Sequence, residues 1–222
     1  MGTPPGMEKP EVTTQESTVE EWTRALAEST GSPGGGAGTG LMLAVAASLT
    51  SMVAGYSGDD GGGEPDRIRE RARALRQEAL RLADDDASAS KAFGAAFRLE
   101  PGDERDEAIR RASVEAAAAS AVLGERAIEA IDDLAWLATN GNRALVADVV
   151  VAFGALRAAL AGARTNVSFD LGSLRSAGTG LEQVREQHPD LWAAVEKLNA
   201  AMDRIDGLAA AIDNRAAPTD AI

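Results

Sequence analysis

The chain of 222 residues contains no cysteine, one histidine and three lysines, and aromatic residues make up only 4% of it. Without cysteine the protein has no disulfide, no thiol nucleophile and no cysteine-bound metal. The single histidine, His188, precedes a proline at a predicted helix start and has no second metal ligand nearby, so we interpret it as a surface residue. Residues 1–16 lack the basic and apolar stretches of a signal peptide, and we therefore expect a cytoplasmic protein.

The 22 Lys and Arg residues are outnumbered by 35 Asp and Glu residues, and the formal net charge is −13. A field of this sign repels phosphate backbones, so nucleic acid is not an expected partner. The most apolar run, residues 41–53, is interrupted by Ser48, Thr50 and Ser51 and is shorter than a bilayer span. We expect this run to form a buried core helix, and we expect no membrane partner.

What the sequence does contain is alanine, which is the best helix former. Polar and apolar residues also recur at helical spacing. The clearest case is one predicted helix face, formed by Leu75, Ala79, Leu82, Asp86, Ser90, Phe93 and Phe97. The composition and these periods predict an all-α, single-domain helical bundle with long alanine-rich helices and short connections.

Composition divides the chain into three parts. Residues 1–16, rich in Pro, Gly, Thr and Glu, predict a disordered leader. Residues 17–214 predict the helical domain, and residues 215–222 a flexible tail.

Local signals within the domain predict several helix boundaries. Thr18 and Glu21 form a capping box, and a glycine-rich turn is expected over residues 29–40. Two helices hinged near Gly124 are expected between residues 103 and 140. A helix over residues 143–163 would be followed by an irregular segment over residues 166–179.

The most unusual local feature is the segment Pro33, Gly34, Gly35 and Gly36. No lysine follows it as in a phosphate-binding P-loop, and its glycine spacing does not match a dinucleotide fingerprint. The glycines predict either a flexible turn or a place where a ligand or another backbone approaches closely, with free N–H groups pointing outward. The sequence does not choose between these two alternatives.

Two acids lie on predicted packing faces. Asp86 is the acid on the apolar stripe, where desolvation raises the pKa of a carboxyl group and prepares it for general acid–base catalysis. Alternatively it is a rim residue capped by Ser90. Asp148 shares a predicted face with alanines, and it too either serves the site or only bridges helices. The run Asp84-Asp85-Asp86 lacks the further acid of a diphosphate-type magnesium motif, so we predict no metal site.

Four ordered motifs resemble those of one enzyme family. They are Pro33 to Gly36 followed by Ser51-Met52-Val53-Ala54; Asp86-Ala87 followed by Phe93 to Leu99; Gly141-Asn142 followed by Asp148-Val149-Val150-Val151-Ala152; and Gly162-Ala163-Arg164-Thr165-Asn166-Val167. In this order they resemble the cyclodeaminase/cyclohydrolase family. That family comprises the C-terminal half of formiminotransferase-cyclodeaminase and the stand-alone bacterial methenyltetrahydrofolate cyclohydrolases.

The resemblance implies a helical homodimer acting on a small-molecule substrate, a tetrahydrofolate derivative carrying a one-carbon unit, with no bound cofactor and no metal. It implies Asp86 and Asp148 as catalytic candidates, with Asp148 also orienting the substrate. Asn142 and Asn166 would orient the pterin or the reacting carbon. Pro33 and the three glycines from Gly34 to Gly36 would let the ring approach the backbone.

The sequence departs from the family pattern in ways that keep other functions open. Gly55-Tyr56-Ser57 and then Asp59-Asp60 stand where the family has asparagine and basic residues, and Asp170 stands where it favours asparagine. Asp59 and Asp60 are a poor electrostatic match for the negatively charged glutamate tail of a folate. A cyclase acting on a non-folate imine or amine is therefore the alternative. A third hypothesis is a non-catalytic helical dimer that binds a small ligand or a partner.

Overall fold

The computed structural model describes residues 12–28, 32–58, 63–176 and 179–216. Within these ranges it contains helices and no strand, which confirms the all-α prediction. The helices are α1 (Val19–Ala27), α2 (Gly35–Gly55), α3 (Glu64–Ala96), α4 (Asp103–Asn140), α5 (Val146–Ser176), α6 (Leu181–Gln187) and α7 (Pro189–Ala216), with a 3₁₀ turn at Arg143–Leu145 before α5. Most of the predicted leader and tail, residues 1–11 and 217–222, lies outside the described residues.

Helix α2 lies against both α3 and α5, while α4 and α7 complete the bundle. Because α2 is built largely from Gly, Ala, Ser and Thr, its neighbours can approach closely. At Gly40 an added Cβ would lie 2.7 Å from the Cβ of Ala83 and 3.1 Å from the carbonyl oxygen of Ala79. The absence of a side chain at this glycine therefore sets the distance between α2 and α3.

We predict that Gly40→Ala destabilises the protein by about 1–3 kcal/mol, because backbone of α3 would have to move. Gly38→Ala is the matched control on the same helix, since nothing lies within 4 Å of its added Cβ. That control should be neutral or stabilise by up to about 1 kcal/mol through helix propensity. Urea denaturation measures both, and equal effects of the two substitutions would contradict this account of the packing.

Three predicted boundaries are wrong. Helix α4 continues through Gly124 without a hinge, because this glycine admits Leu198, whose Cδ2 would lie 2.8 Å from an added Cβ. Helix α5 continues to Ser176 through the segment expected to be irregular, since its apolar residues, including Val167 and Leu171, are buried against α4, α6 and α7. Helix α2 begins at Gly35, inside the expected turn.

The segment before α1 contacts the bundle. The capping box is confirmed, with the amide of Glu21 donating to Thr18 Oγ1 at 3.2 Å. Upstream, the amide of Thr14 donates to Asp84 of α3 at 2.5 Å, and Thr14 Oγ1 accepts from the buried indole of Trp22 at 3.0 Å. Residues 12–16, assigned from composition to the leader, thus reach α3 beside the candidate site.

Candidate active site

The glycine-rich segment forms the N-terminus of α2, and this terminus faces the carboxyl group of Asp86. Gly34 is the N-cap and offers no side-chain hydrogen bond to the first turn. Instead the backbone N–H of Ala37 donates to Asp86, as does the hydroxyl of Ser90. A carboxylate from α3 therefore caps α2, where the helix dipole favours negative charge.

The close approach requires glycine at position 36. A Cβ added to Gly36 would lie 2.1 Å from Asp86 Oδ1 and 2.2 Å from Oδ2. Any other residue would displace the carboxyl group from the helix terminus. The structure thus favours close approach over a flexible turn here, and what approaches the glycine is the side chain of Asp86.

Burial and hydrogen bonding act in opposite directions on the carboxyl group of Asp86. Burial raises the pKa of its carboxyl group, while the hydrogen bonds from Ala37 and Ser90 lower it, and the net effect is an increase. Its Oδ2 is buried and has no hydrogen-bond partner within the described part of the chain. A half-buried carboxyl group with one oxygen free to exchange a proton suits a general acid or base.

A second carboxyl group, Asp170 of α5, lies near Asp86 and was missed as a site residue from the sequence. Its side chain is 9% exposed. Burial and then the nearby charge of Asp86 raise the pKa of Asp170 to about 7. Sequence reasoning treated Asp170 only as a departure from a family pattern, in a segment expected to be irregular. The available signal was its helical spacing from Gly162 and Asn166.

A stripe on α5 faces the start of α2, and it is formed by Gly162, Asn166 and Asp170. A Cβ added to Gly162 would lie 2.2 Å from Oγ1 of Thr39, one turn into α2. Asn166 follows one turn after Gly162, and Asp170 one turn later. Asn166 is half-buried and makes no hydrogen bond with the described residues, so its amide remains available to a ligand.

The other two predicted residues, Asn142 and Asp148, lie at the opposite end of α2. Asn142 donates to the carbonyl of Tyr56, which follows α2, at 3.3 Å, and accepts from the amide of Ala144 at 3.0 Å. Because α2 has 21 residues, this end lies about 30 Å from Gly36. Asp148 is half-buried in the first turn of α5. Within one subunit the predicted residues therefore form two separate groups.

The three consecutive aspartates point to three different places. Asp84 binds the segment before α1, Asp85 forms an exposed ion pair with Arg81 at 2.6 Å, and Asp86 faces α2. In the part of the chain that the structure describes, no group of three or more His, Cys, Asp or Glu side chains could hold a metal ion. Helical phase thus disperses the acidic run.

An apolar cavity of 250 Å³ lies between α2, α3 and α4, away from Asp86. The charged groups at its rim are already paired, with Arg71 2.6 Å from Asp133 and Arg126 3.1 Å from Glu78. We therefore place the candidate active site at Asp86.

Comparison with known proteins agrees with the helical architecture. A family model described as formiminotransferase-cyclodeaminase matches residues 18–208. The chain belongs to the formiminotransferase-cyclodeaminase family. All the candidate residues, from Pro33 to Asp170, lie inside the match. Membership of the formiminotransferase-cyclodeaminase family supports a folate-related cyclodeaminase function.

A solved structure shares the fold. It is the crystal structure of formiminotetrahydrofolate cyclodeaminase from Thermotoga maritima, with a TM-score of 0.72 and 24% sequence identity. The alignment covers 90% of this chain and 96% of that chain. A search of curated protein sequences gives no significant match. The helical arrangement of the formiminotransferase-cyclodeaminase family is thus retained at low identity.

Proposed function

We propose that the protein is a cyclodeaminase that eliminates ammonia from formiminotetrahydrofolate, with hydrolysis of methenyltetrahydrofolate as the related reaction of the same site. The observation that carries the proposal is the carboxyl group of Asp86, held at the N-terminus of α2 with one buried oxygen unpartnered. Both reactions pass through a tetrahedral carbon between two nitrogens, which calls for proton transfer. Asp86 would accept the proton of the attacking group, and Asn166 would orient the substrate.

Two measurements test this function together. On addition of the protein to formiminotetrahydrofolate, we expect ammonia release with a matching rise in methenyltetrahydrofolate absorbance. If the absorbance of methenyltetrahydrofolate falls and no ammonia is released, the hydrolytic reaction would be favoured. Turnover of neither compound would contradict the folate assignment and favour the non-folate cyclase. Binding of a folate without turnover would favour the non-catalytic alternative.

We further propose a homodimer, because α2 and α5 pack against each other and each leaves an apolar face uncovered. The positions that form these faces carry no charge. These positions are Met42, Val45, Leu49, Met52 and Tyr56 on α2, and Ala147, Val151, Gly154, Ala158, Thr165 and Phe169 on α5. By length and composition, α2 and the segment Arg143–Arg175 could each cross a membrane, yet only 56% and 33% of their most apolar stretches are buried within this subunit. Large uncovered apolar faces mark interfaces, and the partner we propose is a second copy.

Such a dimer would also unite the two groups of candidate residues. They lie near opposite ends of α2, about 30 Å apart. A two-fold axis that pairs the α2 helices in antiparallel directions would bring the Asn142 and Asp148 end of one subunit near the Asp86 end of the other. In that arrangement each site would be assembled from both subunits.

We predict that Val45→Arg produces a monomer in light scattering, because it introduces a charge into the uncovered face. Ala200→Arg is the control, since Ala200 is exposed on α7, away from this face. The shared site has its own test, in which inactive Asp86→Asn and Asp148→Asn subunits are mixed and re-associated. About one quarter of wild-type activity should return, since about half of the dimers are mixed and each contains one intact site. No recovery, or an active Asp148→Asn dimer, would contradict the shared site.

Electrostatics beside α2 support a folate over a non-folate substrate. Arg69, Arg73 and Arg76 of α3 line a groove of 560 Å³ with Met52 and Tyr56. These arginines form no ion pair with other described residues, whereas Arg67 and Arg71 pair with Glu64. The segment after Met52 lacks basic residues, but the arginines of α3 place positive charge beside Met52. Arg76 is ten residues from Asp86, about 15 Å along the helix.

We therefore predict that Arg73→Ala raises the KM for a polyglutamylated folate several-fold more than for the monoglutamate, because it removes a cation that attracts the tail. The exposed, ion-paired Arg67 provides the control substitution, Arg67→Ala. Steady-state kinetics at two ionic strengths measure the effect, which salt should weaken. Equal changes for both substrates would remove this support for a folate.

A further inference from the structure

Asp170 of α5 carries a buried carboxyl group that has no role in the reaction proposed above. It lies two turns beyond Gly162 on α5, hence about 12 Å further along the helix. Because Gly162 contacts Thr39, this distance carries Asp170 past the start of α2, to the side where Asp86 faces the helix terminus. The side chain is 9% exposed, and no hydrogen bond or ion pair links it to another described residue.

Among the described residues, the charge that shifts the pKa of Asp170 is that of Asp86, and no basic group opposes it. From α3 it is faced by Asp86, and α2 carries no charged residue. Leu171, the next residue on α5, packs in a cluster of buried apolar side chains from α4, α6 and α7. On its own helix, Arg164 and Arg175 project about 120° and 140° away around the axis.

Two neighbouring carboxyl groups with unequal hydrogen bonding divide the roles of base and acid between them. Asp86 accepts hydrogen bonds from Ala37 and Ser90, which stabilise its ionised form. Asp170 has no such donor, and ionisation would place a second negative charge beside the first. The larger rise in pKa therefore falls on Asp170, which keeps its proton to a higher pH than Asp86 does.

On the basis of the proposed function, we infer that Asp170 is the general acid of the site. It gives its proton to the departing nitrogen, while Asp86 takes the proton of the attacking amine. The secondary amine of the folate attacks the carbon of the protonated formimino group, and a C–N bond forms. The amine proton passes to Asp86, leaving a neutral tetrahedral carbon that bears an amino group. Asp170 protonates that amino group, and its C–N bond breaks with the electron pair leaving on ammonia.

The proton balance of this sequence closes without another reactant. The remaining carbon shares its positive charge between two nitrogens as the methenyl product. Asp86 then carries the proton that Asp170 has lost, so release of one proton to solvent by Asp86 and uptake of one from solvent by Asp170 restore the starting state. The two groups thus act as a pair whose environments separate base from acid.

The test is the pH profile of ammonia release for the wild-type protein, Asp170→Asn and Asp170→Glu. The wild-type rate should fall above about pH 7, the pKa of Asp170, as this acid ionises. Asp170→Asn should lose about 10²-fold at neutral pH and lack the alkaline decline. Asp170→Glu keeps a carboxyl group and should recover part of the rate. If Asp170→Asn retains turnover within about threefold and keeps the alkaline decline, the general-acid role is wrong.

Infrared difference spectroscopy separates this inference from the proposed function, because it needs no substrate. Between pH 6 and 8.5 the wild-type protein should lose the C=O stretching band of one buried carboxylic acid, and Asp170→Asn should lack that change. If the band is absent from the wild-type protein, a protonated Asp170 is excluded, whichever substrate the protein takes. A normal titration in a protein that turns over no folate would contradict the folate reaction while supporting the paired carboxyl groups.

Discussion

Asp86→Asn is expected to lower turnover by at least about 10²-fold, because asparagine is nearly isosteric with aspartate but cannot take up a proton. Its side-chain oxygen can still accept the hydrogen bond from Ala37, so the start of α2 should remain capped. The fold should not be weakened, since removing a half-buried charge relieves its desolvation. Ammonia release measures the first effect and urea denaturation the second.

The matched control for this substitution is Asp85→Asn, one residue earlier on α3. Asp85 is exposed and pairs with Arg81, and surface pairs of this kind contribute little. Its turnover should stay within about twofold of the wild-type value. Retention of turnover within about tenfold by Asp86→Asn would remove Asp86 from the acid–base role.

The second large effect concerns the dependence of stability on pH. Burial and the charge of Asp86 raise the pKa of Asp170 from 3.8 to about 7 in the folded state. Between these values the unfolded chain has released the proton while the native state still holds it, so the native state binds more protons. Stability attributable to this group therefore falls as pH rises from about 4 to about 7 and levels off above that.

Asp170→Asn removes this penalty, so its free energy of unfolding should exceed that of the wild-type protein increasingly as pH rises. The gain at pH 8 should be of the order of 1–4 kcal/mol, the upper value corresponding to the full pKa difference. Urea denaturation at pH 5 and pH 8, at one protein concentration, measures the difference. Asp85→Asn should give a difference from wild type that varies little with pH. A gain for Asp170→Asn that is the same at both pH values would contradict the raised pKa.

The sequence by itself determined the helical class and the elements whose signals are local. Alanine content and helical spacing of apolar residues predicted the bundle, since these act within one or two turns. The capping box at Thr18 and the start of α7 at Pro189 are likewise local, and both were confirmed. Asp86 stood out because its position on an apolar stripe is itself a periodic signal.

Tertiary structure alone decided what depends on neighbouring helices. Gly124 resembles a hinge in the sequence, but it is a contact for Leu198, and only the packed bundle distinguishes the two. The helical path of α5 up to Asp170 follows from burial of its apolar side, which overrides weak local propensity.

The pairing of Asp86 with Asp170 joins residues 84 positions apart in the sequence, so no local pattern could predict it. The same holds for the glycine at position 36, whose necessity comes from a carboxyl group on another helix. Local propensities predicted the helical class and several helix starts, because they depend on adjacent residues, whereas packing decided how far α4 and α5 continue. The packing of α3 and α5 at the start of α2 fixed which carboxyl groups have a raised pKa, because desolvation and charge act through space.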